Sequence, residues 1–262
     1  MIISWFSGGV TSAVATKIAL SEYENVLPVY LETGGHHSDM QRFLKECEEW
    51  FGANILVLQD KRFKDHMDLC EKKKVINFTT GAECSRTLKK KVRQKFEEIV
   101  NFKHQVFGFE FARKQINRSI RFQEQYPYTN PLFPLIDKKL TKGNCMSMVE
   151  RAGIKLPEMY SLGFNNNNCV GCVKGGKGYW SHIKETFPEV FNRMAIIERK
   201  INRRCLKDKF LDELEDNEGR HEPVAVPECD WFCELELENI ESSKVKEILQ
   251  RSNNEKKETR ET

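Results

Sequence analysis

The sequence lacks the features that would assign it to a membrane, a secretory route or a polyelectrolyte partner. Its apolar runs are all shorter than the roughly 18 residues that a membrane helix needs, and no Lys or Arg precedes Lys17, so the basic start of a secretory signal is missing. The 42 Lys and Arg against 39 Asp and Glu leave a formal net charge of +3, too small for bulk attraction to nucleic acid or to an anionic membrane. We therefore predict a cytoplasmic protein with no membrane partner, in which any anion site is local.

Cysteine, by contrast, is abundant, since the chain contains nine. In a reducing compartment cysteines bind metals or act in catalysis more often than they pair as disulfides. Two residues separate Cys169 from Cys172, which is the ligand spacing of zinc and iron–sulfur sites, and Cys229 and Cys233 offer a second pair. The spacing predicts a four-cysteine site for Zn²⁺ or an iron–sulfur cluster; the alternative is a pair of reduced thiols or a redox disulfide. The cysteines in helix-like segments, interpreted as core or surface residues, are Cys47, Cys70 and Cys205.

Apolar runs alternate with helical patterns along the first half of the chain. This alternation predicts an α/β fold with a parallel, Rossmann-like sheet and helices on both faces, and its ligands belong at the carboxyl ends of the strands. The predicted strands cover residues 1–6, 26–31, 54–58 and 105–109, and the predicted helices cover residues 13–20, 40–50, 63–73, 84–100 and 113–125. The second helix is expected to begin at a Ser38 or Asp39 cap and to stop near Gly52.

The second half of the chain no longer alternates strands with helices. A helix is predicted over residues 142–152 and a long one over 179–204, bent at Pro188. The charged stretch 206–220 is expected to be partly mobile. The last ten residues contain no hydrophobic side chain. We predict an α/β nucleotide-binding domain over residues 1–160, a cysteine-rich, mostly helical extension over 161–241 packed on it, and a disordered tail over 242–262.

The sharpest functional signal is the turn Ser7-Gly8-Gly9-Val10-Thr11-Ser12 between the first strand and the first helix. Glycines let backbone approach a phosphate, hydroxyls donate to its oxygens, and the helix points its positive end at the anion. The turn is neither a Walker loop nor the GxGxxG of a dinucleotide fold. It predicts a phosphate site at the edge of the sheet.

With these residues in view, the chain resembles the phosphoadenosine phosphosulfate (PAPS) reductase-like branch of the PP-loop adenine-nucleotide alpha-hydrolase superfamily. The turn at residues 7–12 matches the SGGxxS loop of that superfamily, and the resemblance runs from about residue 2 to 193. The other segments that carry it are Leu31-Glu32-Thr33-Gly34-Gly35-His36, Cys84-Ser85-Arg86-Thr87-Leu88-Lys89, Pro131-Leu132, residues 152–157, Tyr160, Gly163 and the Cys169–Cys172 pair.

The resemblance implies that an adenine nucleotide, ATP or a PAPS-like molecule, lies across the carboxyl edge of the sheet, with Mg²⁺ accompanying ATP. It also implies a [4Fe–4S] cluster held by the CxxC pair and a cysteine of the Cys84 region, which makes Cys84 and Cys145 rivals for the metal site. The nucleotide-binding residues it implies are Ser7, Gly8, Gly9, Thr11, Ser12, Thr33 and Gly34, to which we add His36 from its place after the second strand; the catalytic ones are Ser7, Arg86 and Lys89.

One departure bears on mechanism. The tail ECGxH with the nucleophilic cysteine of PAPS reductases is absent, because Cys229 is followed by Asp230-Trp231-Phe232. An intact SGG loop without that tail favours ATP pyrophosphatase or adenylation chemistry, with or without transfer of sulfur from a sulfur donor. The alternatives are a sulfonucleotide reductase that uses Cys229 and a thiol reductant, and a non-catalytic nucleotide-sensing or nucleic-acid-binding module. The acceptor, a nucleic acid or a small molecule, and the oligomeric state stay open.

Overall fold

The computed structural model describes residues 1–79, 81–220 and 226–227. Cys229, Cys233 and the tail predicted from residue 242 onward lie outside these residues. Within the described residues, every helix is too short or too polar to span a bilayer.

Five parallel strands of the described chain form one sheet, which confirms the predicted α/β class. Pairing places Ile3 between Leu27 and Gln105, and the strand order is β3-β2-β1-β6-β7. The order reverses direction between β1 and β6, which makes this the switch point of the sheet, where ligands of such folds bind outside the carboxyl ends of the strands. The bounds are β1 Ile2–Phe6, β2 Val26–Glu32, β3 Leu56–Gln59, β4 Asn77–Phe78, β5 Gly81–Ala82, β6 His104–Phe107 and β7 Pro131–Leu132, with β4 and β5 pairing as a separate antiparallel hairpin.

The helices connect the strands and continue beyond the sheet. Their bounds are α1 Val10–Glu22, α2 Met40–Phe51, α3 His66–Lys73, α4 Lys91–Ile99, α5 Arg113–Gln125, α6 Pro134–Asp137, α7 Lys142–Arg151, α8 Glu158–Ser161, α9 Lys177–Thr186 and α10 Pro188–Ile201. A π-helical segment, Ser85–Lys90, precedes α4, and 3-10 turns cover Pro127–Thr129 and Leu211–Glu213.

The two faces of the sheet carry different helices because side chains alternate along a strand. Phe6 of β1 packs in one core cluster with residues of α1, α2 and α7. Trp5, its neighbour in sequence, packs in another cluster with Phe96 of α4 and Ile116 of α5. Helices therefore cover both faces, as the sequence predicted.

A further core cluster lies apart from these two faces. It joins Leu69 of α3 and Leu88 of the π-helical segment to residues that follow position 158, with the fully buried Trp180 among them. The stretch 206–220 also belongs to it, since Leu206, Leu211 and Leu214 are buried there. The expectation that this stretch is partly mobile stays a prediction.

Three local predictions are corrected. The helix predicted over 179–204 is two helices, because Pro188 holds Phe187 out of the helical region at φ −135° and ψ 64° and begins a new helix itself. The helix predicted over 84–100 opens as a π-helical segment. Asp39 does not cap α2 with its side chain; its carboxylate binds Arg42 instead and accepts from the Glu158 amide.

Candidate active site

The Ser7–Ser12 turn is organised by its own side chains. The Ser12 hydroxyl accepts from the amide and the hydroxyl of Ser7, each at 3.0 Å, and donates to the Gly9 carbonyl at 2.9 Å. These three bonds use the one donor and two lone pairs that a hydroxyl has. Ser12 therefore shapes the loop, whereas Ser7 is exposed at the loop's surface.

The start of α1 is bounded by this turn and by the Tyr160 hydroxyl, which accepts from the Val10 amide. Gly8 adopts φ +78°, which favours glycine, and Gly9 occupies the N-cap without a side-chain hydrogen bond. The first turn of α1 carries no acidic residue. Its positive end consequently faces the strand edge without a neutralising side chain of its own.

Residues that are distant in sequence pack against the Ser7–Ser12 turn. Asn167 is buried and donates from Nδ2 to the Gly8 carbonyl at 2.7 Å. A Cβ on Gly9 would lie 3.9 Å from the Tyr160 hydroxyl, and burial raises the pKa of Tyr160 to about 12. From β6, Gly108 approaches the Ser12 backbone so closely that a Cβ there would lie 2.6 Å from the Ser12 Cα. The loop is thus held at the switch point of the sheet.

The end of β2 forms the second part of the site. Gly34 adopts φ +69°, and a Cβ there would collide with the Lys64 carbonyl. Its amide donates to the Glu32 carboxylate at 2.6 Å. Thr33, which is buried, places its hydroxyl 3.0 Å from the Cys169 sulfur across 136 residues of sequence. The carboxyl end of β2 therefore meets the CxxC segment.

His36 joins this contact to a carboxylate. Its Nε2 lies 3.9 Å from the Cys169 sulfur, and its Nδ1 lies 2.7 Å from the Tyr30 hydroxyl and 3.5 Å from a Glu32 oxygen. The His36 side chain is only 4% exposed, so the three groups interact with little screening by water.

The charges in this network shift one another's pKa values. Burial alone would raise the pKa of Cys169, but the hydrogen bond and charge of His36, with His66 and Lys89 nearby, lower it to about 6. Burial alone would lower the pKa of His36. The hydrogen bonds to Cys169 and Glu32 outweigh burial, so the pKa of His36 is raised. The hydrogen bond from His36 holds the pKa of Glu32 at about 2. The arrangement favours a thiolate beside an imidazolium at neutral pH.

A cavity of about 270 Å³ opens beside these residues. Asn166 and Asn168 line it, and Asn167 between them touches the Ser7–Ser12 turn, so the cavity lies next to that loop. Lys89 contributes a cation that has no hydrogen-bond or ion-pair partner within the described residues. The other lining residues important here are Thr33, His66, Cys84, Ser85, Cys169, Cys172 and Lys174.

Some predicted site residues lie elsewhere. Arg86 does not line the cavity: its guanidinium donates to Glu83 at 2.7 Å and stands 5.2 Å from the centre of the Phe78 ring. Cys145 is fully buried among the α1 and α7 side chains, where burial raises its pKa. Thr11 is half-buried beside the loop.

The metal prediction finds part of its donor set. Cys84, Cys169 and Cys172 line one cavity, but Cys169 is engaged with Thr33 and His36. Among the residues that the structure describes, no three His, Cys, Asp or Glu side chains are arranged to hold a metal ion. Cys84, Cys169 and Cys172 as placed here do not form a metal centre by themselves, and the second predicted pair, Cys229 and Cys233, lies outside the described residues, so the four-cysteine site stays a prediction and we derive no chemical step through a metal.

The sequence pattern missed His66 and Asn167 as residues of this site. The His66 Nε2–H donates to the Gly171 carbonyl at 2.9 Å, and among the described residues its buried Nδ1 has no hydrogen-bond partner. The run of four asparagines was a visible signal for Asn167, whereas the segment from Lys174 to Gly178 could be interpreted as an anion site or as an exposed turn. Nothing in the spacing of His66 predicts its place, because α3 brings it there only through tertiary packing.

A parallel sheet covered on both faces, with a glycine turn at its switch point, defines a Rossmann-like α/β protein. The family model for the phosphoadenosine phosphosulfate reductase domain matches residues 1–175, so the chain belongs to that family. Membership assigns nucleotide-related chemistry to it. The chain is also similar to an uncharacterized protein of Methanocaldococcus jannaschii, with 24% identity over 194 residues that cover 72% of this chain and 45% of that protein. The chain therefore spans less than half the length of that relative.

Proposed function

We propose that this protein binds ATP at the Ser7–Ser12 turn and uses it to adenylate an acceptor, releasing pyrophosphate. The observation that carries the proposal is the start of α1, whose first turn holds no acidic residue, beside the intact SGG turn. Backbone amides at a helix start and a fixed cation are the donors that stabilise a phosphate whose charge develops in the transition state.

In the proposed reaction a nucleophilic atom of the acceptor attacks the α-phosphorus of ATP. The bond from that phosphorus to the oxygen bridging it to the β-phosphorus breaks, and pyrophosphate leaves with the electron pair. Ser7 and the amides at the start of α1 would bind the phosphates, Lys89 would neutralise the leaving charge, and Thr33 and Gly34 would border the nucleoside. Mg²⁺ would arrive with ATP as part of the substrate.

The test measures pyrophosphate released from ATP by the purified chain with candidate acceptors. Lys89→Ala and Ser7→Ala should each lower the rate about 100-fold, since removal of one transition-state donor costs about that much. Lys90→Ala is the matched control for Lys89, because the Lys90 ammonium donates to the Tyr126 hydroxyl at 2.9 Å rather than facing the cavity. Ser21→Ala, at the other end of α1, is the control for Ser7. Undiminished release by both site variants contradicts the proposal.

A second candidate is reduction of a sulfonucleotide, favoured by the Cys169–His36 contact in the cavity. Here the Cys169 thiolate would attack the sulfur of PAPS, the sulfur–oxygen bond to the nucleotide would break, and the nucleotide would leave. Cys172 would then displace sulfite, forming a disulfide that an external dithiol reduces. Sulfite released from PAPS in the same assay, and lost in Cys169→Ser, would favour this candidate. Cys229, the other candidate nucleophile, lies outside the described residues.

A further inference from the structure

A second, larger groove shares a wall with the candidate active site. Its volume is about 700 Å³, against about 270 Å³ for the cavity. The loop over residues 174–176 lines both. Another wall is the β4–β5 hairpin, where Asn77 donates from Nδ2 to the Val173 carbonyl at 3.0 Å. The groove therefore reaches the same loop that borders Cys172 and Lys89.

The groove carries an exposed aromatic ring. Phe78 of β4 is 46% exposed. Exposure of an apolar ring to water is unfavourable, so the ring is available to a ligand that covers it. The Arg86 guanidinium stands over this ring at 5.2 Å from its centre, and Glu83, which is fully buried, holds that guanidinium in place through a 2.7 Å hydrogen bond. An aromatic ring with a cation fixed at its face is a platform on which a planar base can stack.

The groove is also positively charged. Four cationic side chains line it, Lys174, Lys177, Arg204 and Lys207, against one carboxylate, Asp208. Lys177 is paired with Asp208 at 2.5 Å and with Glu218 at 2.8 Å, so its charge is balanced. Lys174 and Lys207 are exposed and have no ion-pair partner among the described residues. The chain as a whole carries only +3, so this positive charge is local, and it complements a string of phosphates.

We infer that this groove binds a single-stranded nucleic acid, which makes a nucleic acid the acceptor of the adjacent active site. The inference rests on the proposed function for the identity of the reaction, but the binding itself does not. Phe78 with Arg86 supplies stacking, and Lys174, Arg204 and Lys207 supply contacts to phosphates. An acidic peptide would use the cations but would leave the ring without a role, so the aromatic platform favours bases.

The test measures binding of fluorescein-labelled 20-nucleotide single-stranded DNA and RNA to the full chain by fluorescence anisotropy, between 50 and 200 mM salt. Phe78→Ala should weaken binding at least about fivefold, because stacking of one base contributes about 1 kcal/mol or more. Lys207→Ala should reduce the slope of log K against log salt by about 0.7, the loss expected for one phosphate contact.

Matched controls come from other surfaces of the same chain. Tyr128→Ala removes another exposed aromatic ring, 54% exposed and outside the groove. Lys45→Ala on α2 removes the same charge as Lys207→Ala at a distant surface cavity. Both controls should bind the oligonucleotides as the unmodified chain does, and circular dichroism should show that all four variants are folded.

Three results would overturn the inference: no binding at 50 mM salt, equal losses in the groove and control variants, or displacement of the oligonucleotide by polyglutamate at an equal concentration of charge. Duplex DNA that binds as tightly as the single strand would overturn the single-strand assignment. Pyrophosphate release from ATP is measured on the same preparations. Release without oligonucleotide binding overturns this inference alone, and oligonucleotide binding without nucleotide breakdown overturns the proposed function alone.

Discussion

At the scale of single residues, the end of β2 shows how one backbone position organises chemistry. Gly34 turns the chain at φ +69°, and its amide binds Glu32, which in turn contacts His36. His36 then lies against Cys169. A conformation available to glycine thus sets the distance between a carboxylate, an imidazole and a thiol.

The first prediction concerns that glycine. Gly34→Ala should lower the free energy of unfolding by well over 1 kcal/mol, because strain at positive φ adds to a collision with the Lys64 carbonyl. Gly52→Ala is the matched control: Gly52 has φ +67°, and a Cβ there would meet nothing within 4 Å. The control should cost about 1 kcal/mol from the backbone alone. Urea unfolding measures the free energy of unfolding of both variants. Equal losses of that free energy would contradict the prediction, because they would show that the collision with the Lys64 carbonyl adds no cost.

At the scale of elements, a buried carboxylate fastens α3 to the π-helical segment. Glu83 is fully buried and accepts from Lys73 of α3 at 2.7 Å, from Arg86 at 2.7 Å and from the Thr87 hydroxyl at 2.8 Å. Because Lys89 and Arg86 belong to the same segment, this one carboxylate supports both the cavity cation and the aromatic platform.

The second prediction removes that charge. Glu83→Gln should destabilise the protein by about 1–3 kcal/mol, since buried donors lose a charged acceptor. Burial would raise the pKa of Glu83, yet Arg86, Lys73 and Thr87 lower it from 4.5 to about 2. The stabilisation from this group is therefore complete above pH 4.5 and is lost as the pH falls towards 2.

Unfolding free energies measured from pH 7 to 3 should show this acid dependence in the unmodified chain and less of it in Glu83→Gln. Glu71→Gln, on the same α3 and paired with Lys200 at the surface, is the control and should change little. An unchanged acid dependence in Glu83→Gln would contradict the assignment.

At the scale of the whole molecule, residues beyond position 158 complete a site that begins at position 7. Asn167 bonds to Gly8, Cys169 contacts Thr33, and the core around Trp180 includes α3 and the π-helical segment. The predicted division at residue 160 stays a prediction, while the packing shows that both sides of it build one cavity.

The third prediction tests this interdependence. Trp180→Ala should cost about 3–5 kcal/mol, because a fully buried indole is removed from a packed core. Unfolding followed by far-UV and near-UV circular dichroism should remain a single coincident transition, since the cluster shares α3 with the first half of the chain. Two separate transitions would show that the two parts unfold independently. Trp50→Ala, at a half-buried position on α2, should cost less.

Much of the fold could be predicted because its signals are local. The helix over Arg113–Gln125 was predicted with its observed bounds, and α2 ends at Gly52 as expected, with Gly52 in the left-handed conformation. The short elements were not predicted, because β7 spans two residues and the β4–β5 hairpin four, which is too few to show a hydrophobic period. The break at Pro188 was anticipated only as a bend.

The sequence by itself determined the strand–turn–helix at Ser7–Ser12 and the parallel sheet, because hydrophobic periodicity and glycine conformation act over a few residues. Only the tertiary structure decided what surrounds them. It brought Cys169 to His36 and Thr33, set Arg86 on Phe78 instead of in the cavity, and buried Cys145 elsewhere. Contacts that span more than 100 residues depend on how whole elements pack, and no local pattern encodes such distances.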